Sequence, residues 1–195
     1  MSKFIYGVPI PDYWEQPPTF VHWVDAFSPE ELDLLQEEAK SAEAKATVGM
    51  GEEDEKIRRT DLLWLCPEKF GWAYDRVAYV VAKVNFYHYR YSLNHIAGQM
   101  QLGNYKASNK GKYDWHTDNG YDSMRKLSFI MQLSNPEDYE GGKVQMKTGP
   151  EKMDTLPNKR GDMIIFPSHV LHRVTPVTKG ERQSLVSWIS GPGFI

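Results

Sequence analysis

Along the second half of the chain the apolar residues come in short bursts of alternating or β-branched character: "QMQLGNYK", "YDWHTD", "KLSFIMQLS", "GKVQMKT", "DMIIFP", "HRVTPV" and "RQSLVSWIS". Clusters of turn formers separate them, among them "SNKGK", "NPEDYEGG", "PNKRGD" and "TKGE". A period of two sends successive side chains to opposite faces, so each burst predicts a strand with one face buried. Seven or eight short strands at this spacing predict a β-sandwich or barrel.

The first half has a different period. "SPEELDLLQEEAKSAEA" places Leu32, Leu35, Ala39 and Ala42 on one helical stripe. Ser28 and Glu31 have the spacing of a capping box, and Pro29 sits at the first helical position. "PEKFGWAYDRVAYVVAKVNFYHY" repeats the pattern with Phe70, Tyr74, Val77, Val81 and Val84. Both helices are amphipathic, so each is expected to cover the outside of a sheet. Residues 1–27, rich in Pro and aromatics, predict extended chain ending in a short strand near Phe20 to Val24. "TVGMGEEDEKIRRTD", from Thr47 to Asp61, is Gly-rich and charged and predicts a mobile loop.

Composition narrows the class. At 195 residues the chain suits one domain, and can bury roughly 70% of its unfolded surface without a staple. Cys66 is the only cysteine, which excludes an intramolecular disulfide framework and a thiolate zinc cluster. The opening "MSKFIYGVPIPDYWEQ" lacks the apolar run of a signal peptide, and no stretch approaches the ~20 apolar residues of a membrane span. The expected setting is cytoplasmic, with no membrane partner. The net charge of −3 disfavours a protein that grips phosphate backbones, so nucleic acid is not an expected partner.

Candidate chemistry starts in "YDWHTD". On a strand His116 and Asp118 share a face while Thr117 points away. A third ligand from His169 or His172 would complete a two-histidine, one-carboxylate facial set, the geometry of non-haem Fe(II) oxygenases. Zinc would accept the same atoms, but its open tetrahedral sites serve hydrolysis. His22, His88 and His95 lie among aromatics and suit core or surface roles. Arg182, ten residues after His172, can grip a carboxylate through two parallel hydrogen bonds, and Ser184 faces the same way.

With these residues in hand, "YDWHTD", "LSFIMQLSNPEDYEGGKVQM" and "RGDMIIFPSHVLHRVTPVTKGERQSLVSWISGP" resemble the prolyl 4-hydroxylase group of 2-oxoglutarate and Fe(II)-dependent dioxygenases, in particular its PKHD-type members. The resemblance runs from about Gln99 to Pro192, with a looser match at "EKIRRTDLLWL". It implies a fold that is mainly β with flanking helices, around a double-stranded β-helix, or jelly-roll, core. It implies one catalytic domain over 1–195, with 1–95 an extension of helices and substrate loop and 96–195 the core. It assigns iron to His116, Asp118 and His172, since H-x-V-x-P-V selects His172 over His169. Arg182 would hold the distal carboxylate of 2-oxoglutarate and Tyr105 would hydrogen-bond the same molecule. Gln132 stands where relatives often carry a tyrosine near that carboxylate. Tyr113 would approach the substrate, Trp188 would wall the pocket, and Arg58 and Trp64 would belong to a substrate strand.

The activity so implied is 2-oxoglutarate- and O2-dependent hydroxylation of a C–H bond, with release of succinate and CO2 and with ascorbate as reductant. A prolyl residue of a peptide or protein is the favoured substrate. Other amino-acid side chains, free amino acids and nucleobases are alternatives, as is a non-catalytic metal-binding or sensor protein on the same fold. Against a nucleic-acid demethylase, Trp188 fills the place of that branch's second arginine. The Gly49–Thr60 stretch is expected to act as a lid, and its acidic "GEEDE" to favour basic residues flanking the target.

Overall fold

In the computed structural model, residues 3–5, 8–10, 17–41, 54–119 and 124–193 are described. The chain opens with a short antiparallel hairpin, β1 (Lys3–Ile5) and β2 (Val8–Ile10), and then strand β3 (Val21–Trp23). Helix α1 (Pro29–Ser41) follows. Its capping box is closed in both directions: Glu31 N–H donates to Ser28 Oγ and Ser28 N–H to the Glu31 carboxylate. One helical turn, α2 (Asp54–Ile57), leads into strands β4 (Arg58–Arg59) and β5 (Asp61–Leu65). Helix α3 (Pro67–Val84) begins with proline in its first turn, where no backbone donor is lost, and ends in a π-helical turn over Asn85–Tyr89.

The remaining chain is strand after strand: β6 (His95–Ile96), β7 (Met100–Lys106), β8 (Lys112–His116), β9 (Arg125–Gln132), β10 (Tyr139–Gly141), β11 (Val144–Lys147), β12 (Met153–Thr155), β13 (Met163–Pro167), β14 (His172–Val174) and β15 (Val177–Ser190). They form two facing antiparallel sheets. The larger runs β3-β13-β9-β15-β7-β5, with β10 and β6 also paired to β15; the smaller runs β12-β11-β14-β8-β4. This is the expected jelly roll braced by helices.

Two apolar layers hold it. Leu32, Leu35 and Ala39 of α1 and Phe70, Ala73, Val77 and Val81 of α3 pack on Leu127, Phe129, Met131, Ile165 and Leu185 from the outer face of the larger sheet. Between the sheets lie Tyr105, Ile130, Val144, Met146, Ile164, Phe166 and Val174. Along β9 the two layers alternate residue by residue, the period of two read from "KLSFIMQLS". Fully burying one such aliphatic side chain contributes about 1.5–3 kcal/mol. Among the described residues no helix is long and apolar enough to cross a membrane.

Three expectations change. The Thr47–Asp61 stretch is not loop throughout: Asp54–Ile57 is helical, and Arg58 and Arg59 pair with Tyr113 and Lys112 of β8. This pairing ties Arg58 and Arg59 to the smaller sheet; residues 47–53 lie outside the described residues. Tyr139–Gly141, read as a turn in "NPEDYEGG", is a strand on β15 with a bulge before Gly141. Ala42, the last residue of the first helix's stripe, also lies outside the described residues.

Candidate active site

Strands β14 and β8 place His172 directly opposite His116, so the two imidazoles project to the same side of the smaller sheet. Asp118 follows the end of β8, where its N–H donates to the carbonyl of Ser168. One ligand atom from each of the three residues lies within 4.8 Å of the others. His116 Nδ1–H donates to the Asp114 carbonyl at 2.7 Å and His172 Nδ1–H to the Val170 carbonyl at 2.9 Å. These carbonyls select the tautomer that leaves each Nε2 as a lone-pair donor. Both Nε2 atoms point at the same carboxylate, His116 to Oδ1 and His172 to Oδ2, each at 3.7 Å. These spacings leave room for an ion between the three.

The surroundings keep the His116 imidazole neutral. Burial, and then the proximity of His172, push His116 from 6.5 to about 4. Tyr113 stacks on His116 with ring centroids 3.5 Å apart, and Phe166 meets His172 edge-on at 4.8 Å. Burial raises the Tyr113 phenol, so that ring stays uncharged. Two imidazole nitrogens and one carboxylate, with aromatics against the rings, suit a divalent transition metal.

Across a cavity between the sheets stands Arg182, on β15 of the other sheet. It is 1% exposed. Its Nη2 donates to Gln132 Oε1 at 2.9 Å and its Nη1 to Ser184 Oγ at 3.2 Å, and the Tyr105 ring lies 5.3 Å from the guanidinium carbon. Its Nε is buried without a partner, as is Nε2 of Gln132. Among the described residues no carboxylate lies within ion-pair distance of Arg182. A buried, uncompensated guanidinium is expensive, and unused N–H groups beside it are aimed at a missing acceptor. The pocket end is therefore built for an anion. Gly142 makes room for it: a Cβ there would come within 2.9 Å of Arg182 Cδ, and its φ of +56° suits glycine.

Two metal-ready nitrogens and a carboxylate, facing a buried anion receptor in one cavity, fit a metal and a dicarboxylate together. The family model of the 2OG-Fe(II) oxygenase superfamily matches residues 100–190, the stretch that carries His116, Asp118, His172 and Arg182. This segment is similar to the 2OG-Fe(II) oxygenase superfamily. A PKHD-type hydroxylase of Synechococcus sp. (strain CC9605) is 38% identical over 86 residues, 43% of this chain and 39% of that protein. In such alignments the chain spans about two fifths of the length of the curated relatives it matches. Among solved structures, a Pseudomonas putida prolyl-4-hydroxylase superposes with a TM-score of 0.73 at 19% identity, covering 90% of this chain and 94% of its own. A Trichoplax adhaerens prolyl hydroxylase in complex with a hypoxia-inducible-factor peptide fragment gives 0.72 at 16% identity, over 89% and 84%. These two likenesses speak for the fold. Fe(II), 2-oxoglutarate and O2 go with that superfamily, and the donor set and the buried arginine of this chain fit them.

The other residues singled out by sequence fall unevenly. Tyr105, Tyr113, Ser184, Trp188 and Arg58 line the cavity with the triad and Arg182. Gln132 lies behind the wall, touching the cavity through Arg182. Trp64 is the register partner of Gln101 on the edge strand β5 and does not line the cavity. His169 is exposed. His22 is held by Asp162 at 2.6 Å, between β3 and β13. Sequence reading missed two residues. Gln101 lines the cavity and accepts from Arg58 Nη2 at 3.3 Å; its sign was a polar side chain in phase with Tyr105 along β7. Arg125 stacks 3.7 Å over the Trp188 ring and donates from Nη1 to the Asp118 carbonyl at 3.3 Å. No local pattern marks it.

Proposed function

We propose that this chain acts as one catalytic unit that uses Fe(II), 2-oxoglutarate and O2 to hydroxylate a prolyl C–H in a peptide or protein, releasing succinate and CO2. The observation that carries the reading is the pairing, in one cavity, of the His116–Asp118–His172 cluster with a buried Arg182 that lacks a carboxylate partner. His116, Asp118 and His172 would hold the iron, which when bound supplies the activation of O2 and the oxidative decarboxylation. The chain supplies the rest. The Asp114 and Val170 carbonyls hold the two imidazoles in their donor tautomer. Arg182, braced by Gln132 and Ser184, would orient the distal carboxylate of 2-oxoglutarate, with Tyr105 beside it. Ile130, Val174 and Val186 exclude water from the pocket, where stray proton transfer would waste co-substrate.

Tyr113, Trp188 and Arg58 would meet the substrate at the mouth. The prolyl assignment is supported by the fold shared with two prolyl hydroxylases, one of them bound to a peptide. A rigid proline ring also presents one C–H at little conformational cost. A cytoplasmic setting is supported by the single cysteine, Cys66. The test is to incubate the Fe(II)-loaded protein with 2-oxoglutarate, ascorbate and proline-containing peptides, and to follow succinate release and the gain of one oxygen atom by mass spectrometry. Peptide-dependent succinate with oxygen on proline is expected. Oxygen on lysine, a free amino acid or a nucleobase overturns the prolyl assignment, and absence of any 2-oxoglutarate turnover overturns the enzyme.

A further inference from the structure

The cavity carries more positive charge than its metal and co-substrate use. A divalent ion, the Asp118 carboxylate, Arg182 and a dicarboxylate together sum to zero. Among the lining residues one further guanidinium remains, that of Arg58. Arg58 lines the cavity, its guanidinium carbon 4.6 Å from the Tyr113 ring centroid. Arg125 lies over Trp188. The acidic surroundings expected from "GEEDE" are not what the described wall offers: Asp118 is the only carboxylate among the lining residues.

Arg58 is unusually placed. It sits on a two-residue strand whose pairing with Tyr113 fixes its backbone against the triad strand. One neutral contact, to Gln101 Oε1, satisfies Nη2, while Nε is buried with no partner. Among the described residues it has no carboxylate within ion-pair distance. A cation stacked on an aromatic ring with a vacant donor is oriented but not neutralised. Arg59, the next residue, is on the opposite face of the strand and does not line the cavity.

We infer that the substrate carries a carboxylate side chain close to the oxidised residue, and that Arg58 selects it: the substrate is an acidic peptide. The inference rests on the hydroxylase reading for its site, but it concerns binding and can fail separately. The expected discrimination follows from a charge-assisted hydrogen bond at a half-buried rim, roughly tenfold in affinity.

The test is anaerobic. The protein is loaded with Mn(II) and 2-oxoglutarate, and binding of fluorescent proline peptides with Asp, Asn or Lys beside the proline is measured by polarisation. Wild type should bind the Asp peptide about tenfold more tightly than the Asn peptide, and the Lys peptide least. Arg58→Glu should invert the order, a gain that misfolding cannot mimic, while Arg59→Glu should keep it. Equal affinities in wild type, binding of no peptide, or an Asp preference that survives Arg58→Glu overturns the inference. So does an Asp preference that emerges only when Glu52, Glu53, Asp54 and Glu55 are replaced by amides, which would give Arg58 to its own chain. If the Asp peptide binds as expected but its proline gains no oxygen in the aerobic Fe(II) assay, the prolyl reading falls and the acidic-substrate inference stands.

Discussion

Two arginines face the same cavity from different kinds of structure. Arg182 lies within β15, paired with Tyr105 of β7 and two residues before the β9 pairing begins at Ser184, and is 1% exposed. Arg58 lies on a two-residue edge strand and is half-buried. Both have a vacant Nε, and neither has a carboxylate partner among the described residues. The deep one is positioned by Gln132 on the neighbouring β9 and by Ser184 on its own strand, and so suits a ligand that must be the same in every turnover. The shallow one has a single long contact and an aromatic plate under it, which tolerates a ligand whose neighbours vary. Placing recognition of the constant partner in the core and of the variable partner on the edge is economical, because edge strands accept substitution with little effect on packing.

The largest expected effect breaks the deep end at the metal. His172→Ala should abolish high-affinity metal binding by calorimetry, and His169→Ala should leave it near wild type. Metal affinity that follows His169 instead would dissolve the constant end altogether. Next, Arg182→Met should weaken 2-oxoglutarate binding by about 2 kcal/mol or more, on the order of 30-fold, while metal binding survives. The same variant should leave the ligand-free protein at least as stable in urea, because it removes a buried charge with no counter-ion. Arg58→Met should leave 2-oxoglutarate affinity within about twofold, because its contacts are all at the mouth. An effect of Arg58→Met on 2-oxoglutarate as large as that of Arg182→Met would erase the distinction.

A smaller effect appears with pH. His116 remains neutral in the fold down to about 4, whereas an unfolded histidine takes its proton near 6.5. Between those values the unfolded chain binds more protons. Stability of the metal-free protein should therefore fall as pH drops through that window and gain nothing from this group above it. Urea midpoints across the window check this, and His116→Gln should flatten the slope. The smallest expected change is Ser184→Ala, which removes one neutral partner of Arg182 at about 1 kcal/mol and should weaken 2-oxoglutarate about fivefold.

Legibility in the sequence followed the same division. Strands β7, β9, β13 and β15 announced themselves because their alternation is long enough to register, and His116 with Asp118 is a two-residue pattern on one face. The choice of His172 over His169 depended on resemblance, because which strand lies opposite β8 is a long-range fact. Strands β4 and β10 were hidden for opposite reasons. The first is two residues long, too short for any period, and the second is carried by charged and glycine residues that read as a turn. Gln132 was placed near the carboxylate held by Arg182 through resemblance alone, since the bond between them joins residues 50 apart in sequence. The acidic "GEEDE" lies largely outside the described residues, and Arg125 was hidden because only the pairing of distant strands brings it onto Trp188.

Strand β15 also acts as a ruler. Arg182, Ser184, Val186 and Trp188 all line the cavity from it, and six residues of extended chain measure roughly 20 Å. The reach from the anchor of the small acid to the aromatic plate at the mouth is thus set by residue count, with no hinge to adjust it. One residue inserted between Ser184 and Val186 would turn Val186 and Trp188 away from the cavity. Two would restore their facing but carry Trp188 about 7 Å farther out. Redesign for a larger or smaller target must therefore exchange side chains along this strand at constant length.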